Sequence, residues 1–180
     1  MTCPQTPMST DESPTSGDST LSGASVAGQG EQCLLATIAD ELYALDLSSI
    51  REVLRSSDKE IAPGAPPFVA GLMSLRGEII TVIDAGCLLG VRQHRDQAPE
   101  PRIVVIEGAS EVVGIQVDNL REVIEYDPEA IQRPQLMANS AGYDYIKGVF
   151  SWAEDELVIV LDVDALCTEK TGTVAAEHRV

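Results

Sequence analysis

The residue types that most often carry catalysis are sparse in this chain and poorly placed for it. Only two histidines occur, His94 in the polar stretch Arg92 to Pro101 and His178 near the end of the sequence. A Ser-His-Asp or Cys-His arrangement needs its base within about 2.6 to 3.2 Å of the nucleophile, which histidines in polar loops do not supply. No GxGxxG, GxxxxGK(S/T) or HExxH motif is present. The sequence therefore predicts a protein that is not an enzyme.

The four cysteines, Cys3, Cys33, Cys87 and Cys167, are spaced too widely for a metal knuckle or a CxxC redox pair. Disulfide scaffolds are typical of short secreted chains, so reduced thiols are expected here. Cys87 and Cys167 lie in apolar segments, where a free cysteine is more often a small buried hydrophobe than a nucleophile. We therefore assign packing roles to both.

Two groups of acidic residues have types that could bind a cation or form a carboxylate pair. Glu154, Asp155 and Glu156 are consecutive, yet three acids in a row on a hairpin tip are more often a solvated turn. Asp84 and Asp162 follow apolar strands at equivalent positions, and we favour strand termination by turn-forming Asp over a catalytic dyad. We expect no metal ion and no cofactor.

The overall charge argues against whole classes of partner. Asp and Glu outnumber Lys and Arg by 29 to 12, for a formal net charge of −17. This sign repels phosphate backbones and anionic membrane surfaces. No apolar run approaches the roughly 20 residues needed to cross a bilayer. We therefore expect a soluble, cytoplasmic protein that recognises other proteins, with no nucleic acid partner and no direct membrane insertion.

The pattern of apolar residues predicts a mainly β fold with little helix. From Cys33 onward, short runs rich in Val, Ile and Leu alternate with turn signals. A short helical turn is expected near Asp164 to Thr168. The predicted strands are Leu34 to Ile38, Tyr43 to Leu47, Ile79 to Ile83, Ile103 to Ile106, Val112 to Val117 and Leu157 to Val163.

An internal repeat gives the organisation of the folded part. The repeated blocks, in the same order in each half, are Ala44 to Leu54 with Gly114 to Ile124, Gly71 to Ser74 with Gly148 to Ser151, and Ile79 to Asp84 with Leu157 to Asp162. We interpret this as a tandem duplication of one β unit. Each half would bury only about 60% of its surface alone, so we expect two small barrels or rolls packed along a shared apolar seam.

These patterns divide the chain into three regions. Residues 1–30 are rich in Ser, Thr, Pro, Gly and Asp, which predicts a disordered arm. Residues 31–168 are expected to form the folded domain, with a first repeat at about 33–90 and a second at about 102–167. Exchange of strands between the repeats is left open. Residues 169–180 are expected to form a flexible tail.

One cation occupies a distinctive turn. Ser74-Leu75-Arg76-Gly77-Glu78 leads directly into the apolar strand Ile79 to Ile83. A guanidinium on such a turn can fork onto a carboxylate or a pair of carbonyls. An ordinary solvated turn residue is the other interpretation, and position alone does not separate the two.

The string Ser-Leu-Arg-Gly followed by Ile-Ile-Thr-Val-Ile-Asp resembles the Asn-Leu-Arg-Gly, apolar strand, Pro-Ile-Val-Asp-Leu pattern of CheW-type coupling domains. Ser74 stands where that family commonly has Asn, and Thr81 where it commonly has Pro. The likeness extends from about Leu34 to Leu166. It includes, in order, Tyr43 to Leu47, Ile50 to Val53, Pro66 to Gly71, Val113 to Asp118 and Tyr145 to Gly148.

This resemblance implies two five-stranded SH3-like β-barrels packed together, with few short helices. It also implies a non-catalytic adaptor that couples the cytoplasmic tip of methyl-accepting chemoreceptors to the regulatory domain of a CheA-type histidine kinase, recruited to receptor arrays. Carried over by position, the partner-binding surface would contain Ile50, Glu52, Val53, Leu75, Arg76 and Gly77.

The resemblance leaves the details of partner binding and output open. We expect receptor helices to insert apolar side chains into the seam between the barrels, and the kinase to bind end to end with a barrel. One alternative is an adaptor of a chemosensory pathway with another output, such as surface motility. Another is a small-molecule sensor that uses the seam as its pocket.

Overall fold

The computed structural model describes residues 30–56, 59–91, 100–109, 111–133, 142–153 and 156–168. The predicted arm, apart from Gly30, and the predicted tail lie outside the described residues. So do both histidines, Cys3, Glu154 and Asp155. Within the described ranges, no helix has the length and apolar character that crossing a bilayer requires.

The described part of the chain is mainly β, which confirms the predicted fold class. Short 3₁₀ helices cover Leu47–Ser49, Pro128–Ala130 and Tyr143–Tyr145. The two α-helices are α1 (Ala85–Leu88) and α2 (Val163–Leu166). The strands are β1 (Glu31–Ile38), β2 (Glu41–Asp46), β3 (Ile50–Arg55), β4 (Val69–Leu75), β5 (Glu78–Asp84), β6 (Arg102–Glu107), β7 (Val112–Val117), β8 (Asn119–Tyr126), β9 (Ile146–Ser151) and β10 (Leu157–Leu161).

These strands form two five-stranded sheets. Sheet one has the order β8-β1-β2-β10-β9, and sheet two has the order β3-β6-β7-β5-β4. Neighbours are antiparallel except for the pairs β2 with β10 and β5 with β7, which are parallel. Each sheet takes two strands from one half of the sequence and three from the other.

The strand registers confirm that the two halves share a frame. Ala44 of β2 pairs with Val160 of β10 in sheet one. Gly114 of β7 pairs with Val82 of β5 in sheet two. Ala44 and Gly114 are equivalent in the repeat, as are Val160 and Val82. The internal repeat is therefore an approximate twofold relation between the sheets.

The equivalent aspartates at the strand ends act as helix caps. The Cys87 amide donates to Asp84 Oδ1 over 3.0 Å at the start of α1, and the Ala165 amide donates to Asp162 Oδ1 over 3.0 Å at the start of α2. Each carboxylate satisfies a backbone N–H that the first helical turn leaves unpaired. This agrees with the predicted role of both aspartates in ending their strands.

The repeated glycines Gly71 and Gly148 mark a close backbone approach. A Cβ on Gly71 would lie 2.4 Å from the Glu60 carbonyl oxygen, and one on Gly148 would lie 2.7 Å from the Gln132 carbonyl oxygen. Glu60 exchanges two backbone hydrogen bonds with Leu72, the residue after Gly71, and Gln132 does the same with Val149, the residue after Gly148. The N···O distances are 2.7 to 2.8 Å. Only glycine leaves room for this bridge, which explains why both copies keep it.

Buried side chains form three layers. One cluster, which includes Leu35, packs within sheet one, and another, which includes Ile103, packs within sheet two. The third lies between the sheets, and its residues are at most 9% exposed. Alternate residues of a strand face opposite ways, so β1 and β6 each contribute to two clusters. Leu35 of β1 and Ile103 of β6 face the core of their own sheet, whereas Ala36 of β1 and Val104 of β6 face the core between the sheets. The predicted seam is therefore a closed apolar core in the described structure.

We expect Ile115→Ala to lower the free energy of unfolding by about 2 to 5 kcal/mol, because Ile115 is fully buried between the sheets and its truncation leaves a cavity. Ile79→Ala is the matched control, since Ile79 is 77% exposed, and should change stability by no more than about 0.5 kcal/mol. Chemical denaturation followed by circular dichroism measures both. Equal effects of the two substitutions would contradict the placement of the shared core.

Candidate protein-binding surface

The turn that carries Arg76 is a two-residue hairpin between β4 and β5. Leu75 pairs with Glu78, and the two residues between them have positive φ angles, 50° for Arg76 and 90° for Gly77. These angles are typical of a type I′ turn, whose twist matches that of the flanking strands. A residue other than glycine is uncommon in this conformation. The turn holds the Arg76 side chain out at the end of sheet two, where it is 81% exposed.

The Arg76 guanidinium forms an ion pair with the Glu52 carboxylate. Arg76 Nη2 lies 3.3 Å from Glu52 Oε1. Glu52 belongs to β3, which is one edge of sheet two, whereas the hairpin includes the opposite edge strand β4. The ion pair therefore connects the two edges of the sheet at this end. The structure brings together the two charged residues that the resemblance placed on one surface.

A second set of ion pairs, which sequence reasoning did not anticipate, lies beside the first. Arg51 Nη1 is 3.6 Å from Glu78 Oε2, and Arg51 Nε is 2.8 Å from Glu107 Oε2. Arg51 thus joins β3 to the first residue of β5 and to the last residue of β6. No local sequence signal predicts a contact between residues 51 and 107, because it depends on the strand order of the sheet.

Two exposed apolar side chains lie among these charges. Val53 on β3 is 42% exposed, and Ile79 on β5 is 77% exposed. Ile79 was not among the predicted surface residues, because it begins a continuous apolar run that indicated a buried strand. Exposed apolar side chains on the same strands as charged residues are compatible with a protein interface.

The remaining predicted residues support the surface from below or shape its turn. Ile50 packs partly buried against the core between the sheets, and Leu75 packs partly buried against the core of sheet two. Gly77 is exposed in the hairpin turn. Of the six predicted residues, Arg76, Gly77 and Val53 therefore face solvent, while Glu52 is half-buried beneath Arg76. We call Val53, Ile79, Glu52 and Arg76 the hairpin surface, and the ion pair between Arg51 and Glu78 lies beside it.

Sheet one carries a related surface with different charges. Val123 and Leu157, which are equivalent to Val53 and Ile79, are 48% and 64% exposed. Arg121 Nη1 lies 3.9 Å from Glu156 Oε2, which repeats the pair between Arg51 and Glu78. Glu122, the equivalent of Glu52, is exposed and makes no ion pair within the part of the chain that the structure describes. In the sequence, no arginine lies between Trp152 and Glu156, the stretch equivalent to the one that carries Arg76.

The only tryptophan belongs to packing more than to the exposed surface. Trp152, which is equivalent to Leu75, is partly buried against the core of sheet one. Tyr126 and Phe150 stack in the same core, with ring centroids 5.1 Å apart.

Two of the described thiols, Cys33 and Cys167, are buried and have raised pKa values. Burial is the main cause that raises the pKa of Cys33 to about 11, with a further contribution from the Asp46 carboxylate. Burial likewise raises the pKa of Cys167 to about 11, against the opposing effect of a backbone hydrogen bond at Gly108. Across the described ranges, no group of three or more His, Cys, Asp or Glu side chains could hold a metal ion. The predicted packing role of Cys167 is confirmed, since it is 1% exposed in the core between the sheets.

The chain resembles known proteins in sequence and in structure. The family model for the CheW-like domain matches residues 32–171. Chemotaxis protein CheW of Treponema pallidum (strain Nichols) is 29% identical over 150 residues, which cover 81% of this chain and 88% of that protein. Chemotaxis protein CheW of Klebsiella aerogenes is 26% identical over 164 residues, which cover 89% and 96%. The crystal structure of scaffolding protein TtCheW from Thermoanaerobacter tengcongensis matches with a TM-score of 0.67 and 27% identity, over 77% of this chain and 88% of that one.

We expect Cys33 and Cys167 to resist alkylation by iodoacetamide at pH 8 in the native protein. A raised pKa keeps each thiol protonated at this pH, and the thiolate is the reactive form. In denaturant, where the pKa returns to about 8.5, labelling should be faster by roughly 100-fold. Mass spectrometry of the two peptides measures both rates. Native labelling as fast as denatured labelling would show that these thiols are accessible and reactive.

Proposed function

The chain belongs to the CheW-like domain family, and we propose that it is a cytoplasmic, non-catalytic adaptor that couples chemoreceptors to a CheA-type histidine kinase. Its place in this family makes it a chemotaxis scaffold. The proposed partners are the cytoplasmic tip of methyl-accepting chemoreceptors and the regulatory domain of the kinase. Recruitment to membrane-bound receptor arrays would follow from receptor binding.

The hairpin surface is the observation that carries this proposal. A scaffold needs exposed side chains that a partner can bury, held by a framework that does not change on binding. Val53 and Ile79 supply exposed apolar side chains, and Arg76 supplies the residue type that often dominates the energy of an interface. The strands below are anchored by the buried core of sheet two.

Arg76 keeps the capacity to bind a partner while it is paired with Glu52. A guanidinium has five N–H donors, and the one ion pair of Arg76 with a described residue is a 3.3 Å contact through Nη2. The exposed remainder can bind a carboxylate or a pair of carbonyls on a partner. Glu52 holds the side chain in position before the partner arrives, which reduces the entropy lost on binding.

The packing between the sheets bears on where a receptor helix would bind. Its side chains are almost fully buried, so apolar anchors entering the seam would have to displace native packing. Ile50 lies where the hairpin surface meets this core and is only partly buried. We therefore propose that partners contact the rim of the seam and the hairpin surface, without inserting between the sheets.

Co-purification tests the adaptor function directly. The full chain is mixed with a tagged receptor-tip fragment and the kinase regulatory domain, and the tagged fragment is captured. We expect the kinase domain to be retained only when the chain is present, because the adaptor must bind both at once. Failure of the chain to bind either purified partner would refute the proposed function.

We expect Arg76→Glu to weaken binding to at least one of these partners by about tenfold or more, because it reverses the charge at the centre of the hairpin surface. Titration calorimetry with each purified partner measures the change. The matched control is Lys147→Glu, an equal change of charge at an exposed residue of β9 in sheet one. Both variants should keep the native circular dichroism spectrum. Unchanged affinity of the Arg76 variant for both partners would remove this residue from the binding surface.

A further inference from the structure

We propose that Arg51 is a positioning residue, which holds β3 and the β4–β5 hairpin together as one rigid hairpin surface. The part of this inference that concerns partner affinity rests on the proposed function. The part that concerns rigidity does not. Arg51 would act through Glu78 and Glu107, and not by contact with the partner.

The first support is the pair of carboxylates that Arg51 binds. Its Nε and Nη1 atoms contact two different acids, Glu107 on β6 at 2.8 Å and Glu78 on β5 at 3.6 Å. A guanidinium can do this because its donors point in fixed, separate directions. Strand β3 is hydrogen-bonded only to β6 within sheet two. Arg51 therefore adds a connection to the hairpin side that backbone pairing does not provide.

The second support is the backbone of β3. The register with β6 shifts between Ile50, which pairs with Ile106, and Glu52, which pairs with Val105. Arg51 is the extra residue of this β-bulge. Bulges bend an edge strand and redirect a side chain. The bulge therefore places Arg51 outside the regular alternation of β3 and allows it to reach both acids.

Two ion pairs connect β3 with the hairpin, and they have opposite polarity: the arginine belongs to the hairpin in one pair and to β3 in the other. Arg76 of the hairpin contacts Glu52 of β3, while Arg51 of β3 contacts Glu78 at the start of β5. Each exposed ion pair alone contributes little to stability. The two pairs together nevertheless restrict the same motion, which is the separation of β3 from the hairpin. Val53 and Ile79 lie on the two elements that this arrangement holds together.

Sheet one provides an internal comparison. Its register shifts at the equivalent place, between the pairs Leu34 with Val123 and Ala36 with Leu120. Arg121 there contacts Glu156 at 3.9 Å, so among the described residues one ion pair lies where sheet two has three. The hairpin surface is thus the more strongly connected of the two related surfaces. Arg121→Ala is the matched control for Arg51→Ala.

A double-mutant cycle separates positioning from direct contact. The variants are Arg51→Ala, the pair Glu78→Gln with Glu107→Gln, and all three changes together. Arg51→Ala should weaken partner affinity by about fivefold, and the triple variant should be no weaker than Arg51→Ala. A further loss of the same size when Arg51→Ala is added to the two glutamine changes would show direct contact with the partner and overturn the proposal.

Hydrogen exchange of the free protein gives an arm of the test that needs no partner. Arg51→Ala should speed exchange in β3 and in the Leu75 to Glu78 turn, while Arg121→Ala should leave both segments unchanged. Unaltered exchange in the Arg51 variant would overturn the proposal. If the wild-type chain binds neither partner, the proposed function fails, and the exchange result alone decides whether Arg51 holds the surface together. Native circular dichroism spectra confirm that each variant is folded.

Discussion

Burial of the central strands on both faces is the constraint on which the rest of the structure depends. Strands β1, β2 and β6 each send alternate side chains into the core of their own sheet and into the core between the sheets. Neither sheet could leave the other without exposing a large apolar face to water. Because each sheet also combines strands from both halves of the sequence, the two repeats form one structural unit. This explains how a duplicated unit of marginal size yields a stable scaffold.

The hairpin surface depends on this core in a specific way. The core fixes β6 and β7, and β6 in turn fixes the edge strand β3 by backbone pairing. The hairpin that carries Arg76 is fixed through β5, which pairs in parallel with β7. The charged contacts of Arg51 and Arg76 then connect the two elements at their exposed ends. Rigid placement of a few exposed side chains is what a non-catalytic adaptor needs, since partners can bind it without paying for its reorganisation.

Much of the fold could be predicted from the sequence, because apolar runs and the internal repeat are local signals. The predicted strands do not include β3, β4, β8 and β9, which are the edge strands of the two sheets. In β3, Arg51, Glu52 and Arg55 interrupt the apolar residues at an exposed edge. Arg76 and Glu52 were placed together only through family resemblance. The contacts of Arg51 and the exposure of Ile79 depend on strand order and on a β-bulge. Neither leaves a pattern in the neighbouring sequence.

Scanning calorimetry of the full chain tests most directly whether the two sheets share one core. If they do, unfolding of one sheet exposes the apolar face of the other, so both sheets must unfold together. We expect a single transition whose calorimetric enthalpy equals its van't Hoff enthalpy. Two separate transitions, each with the heat expected of a single sheet, would show that the sheets are independent and would contradict the shared core.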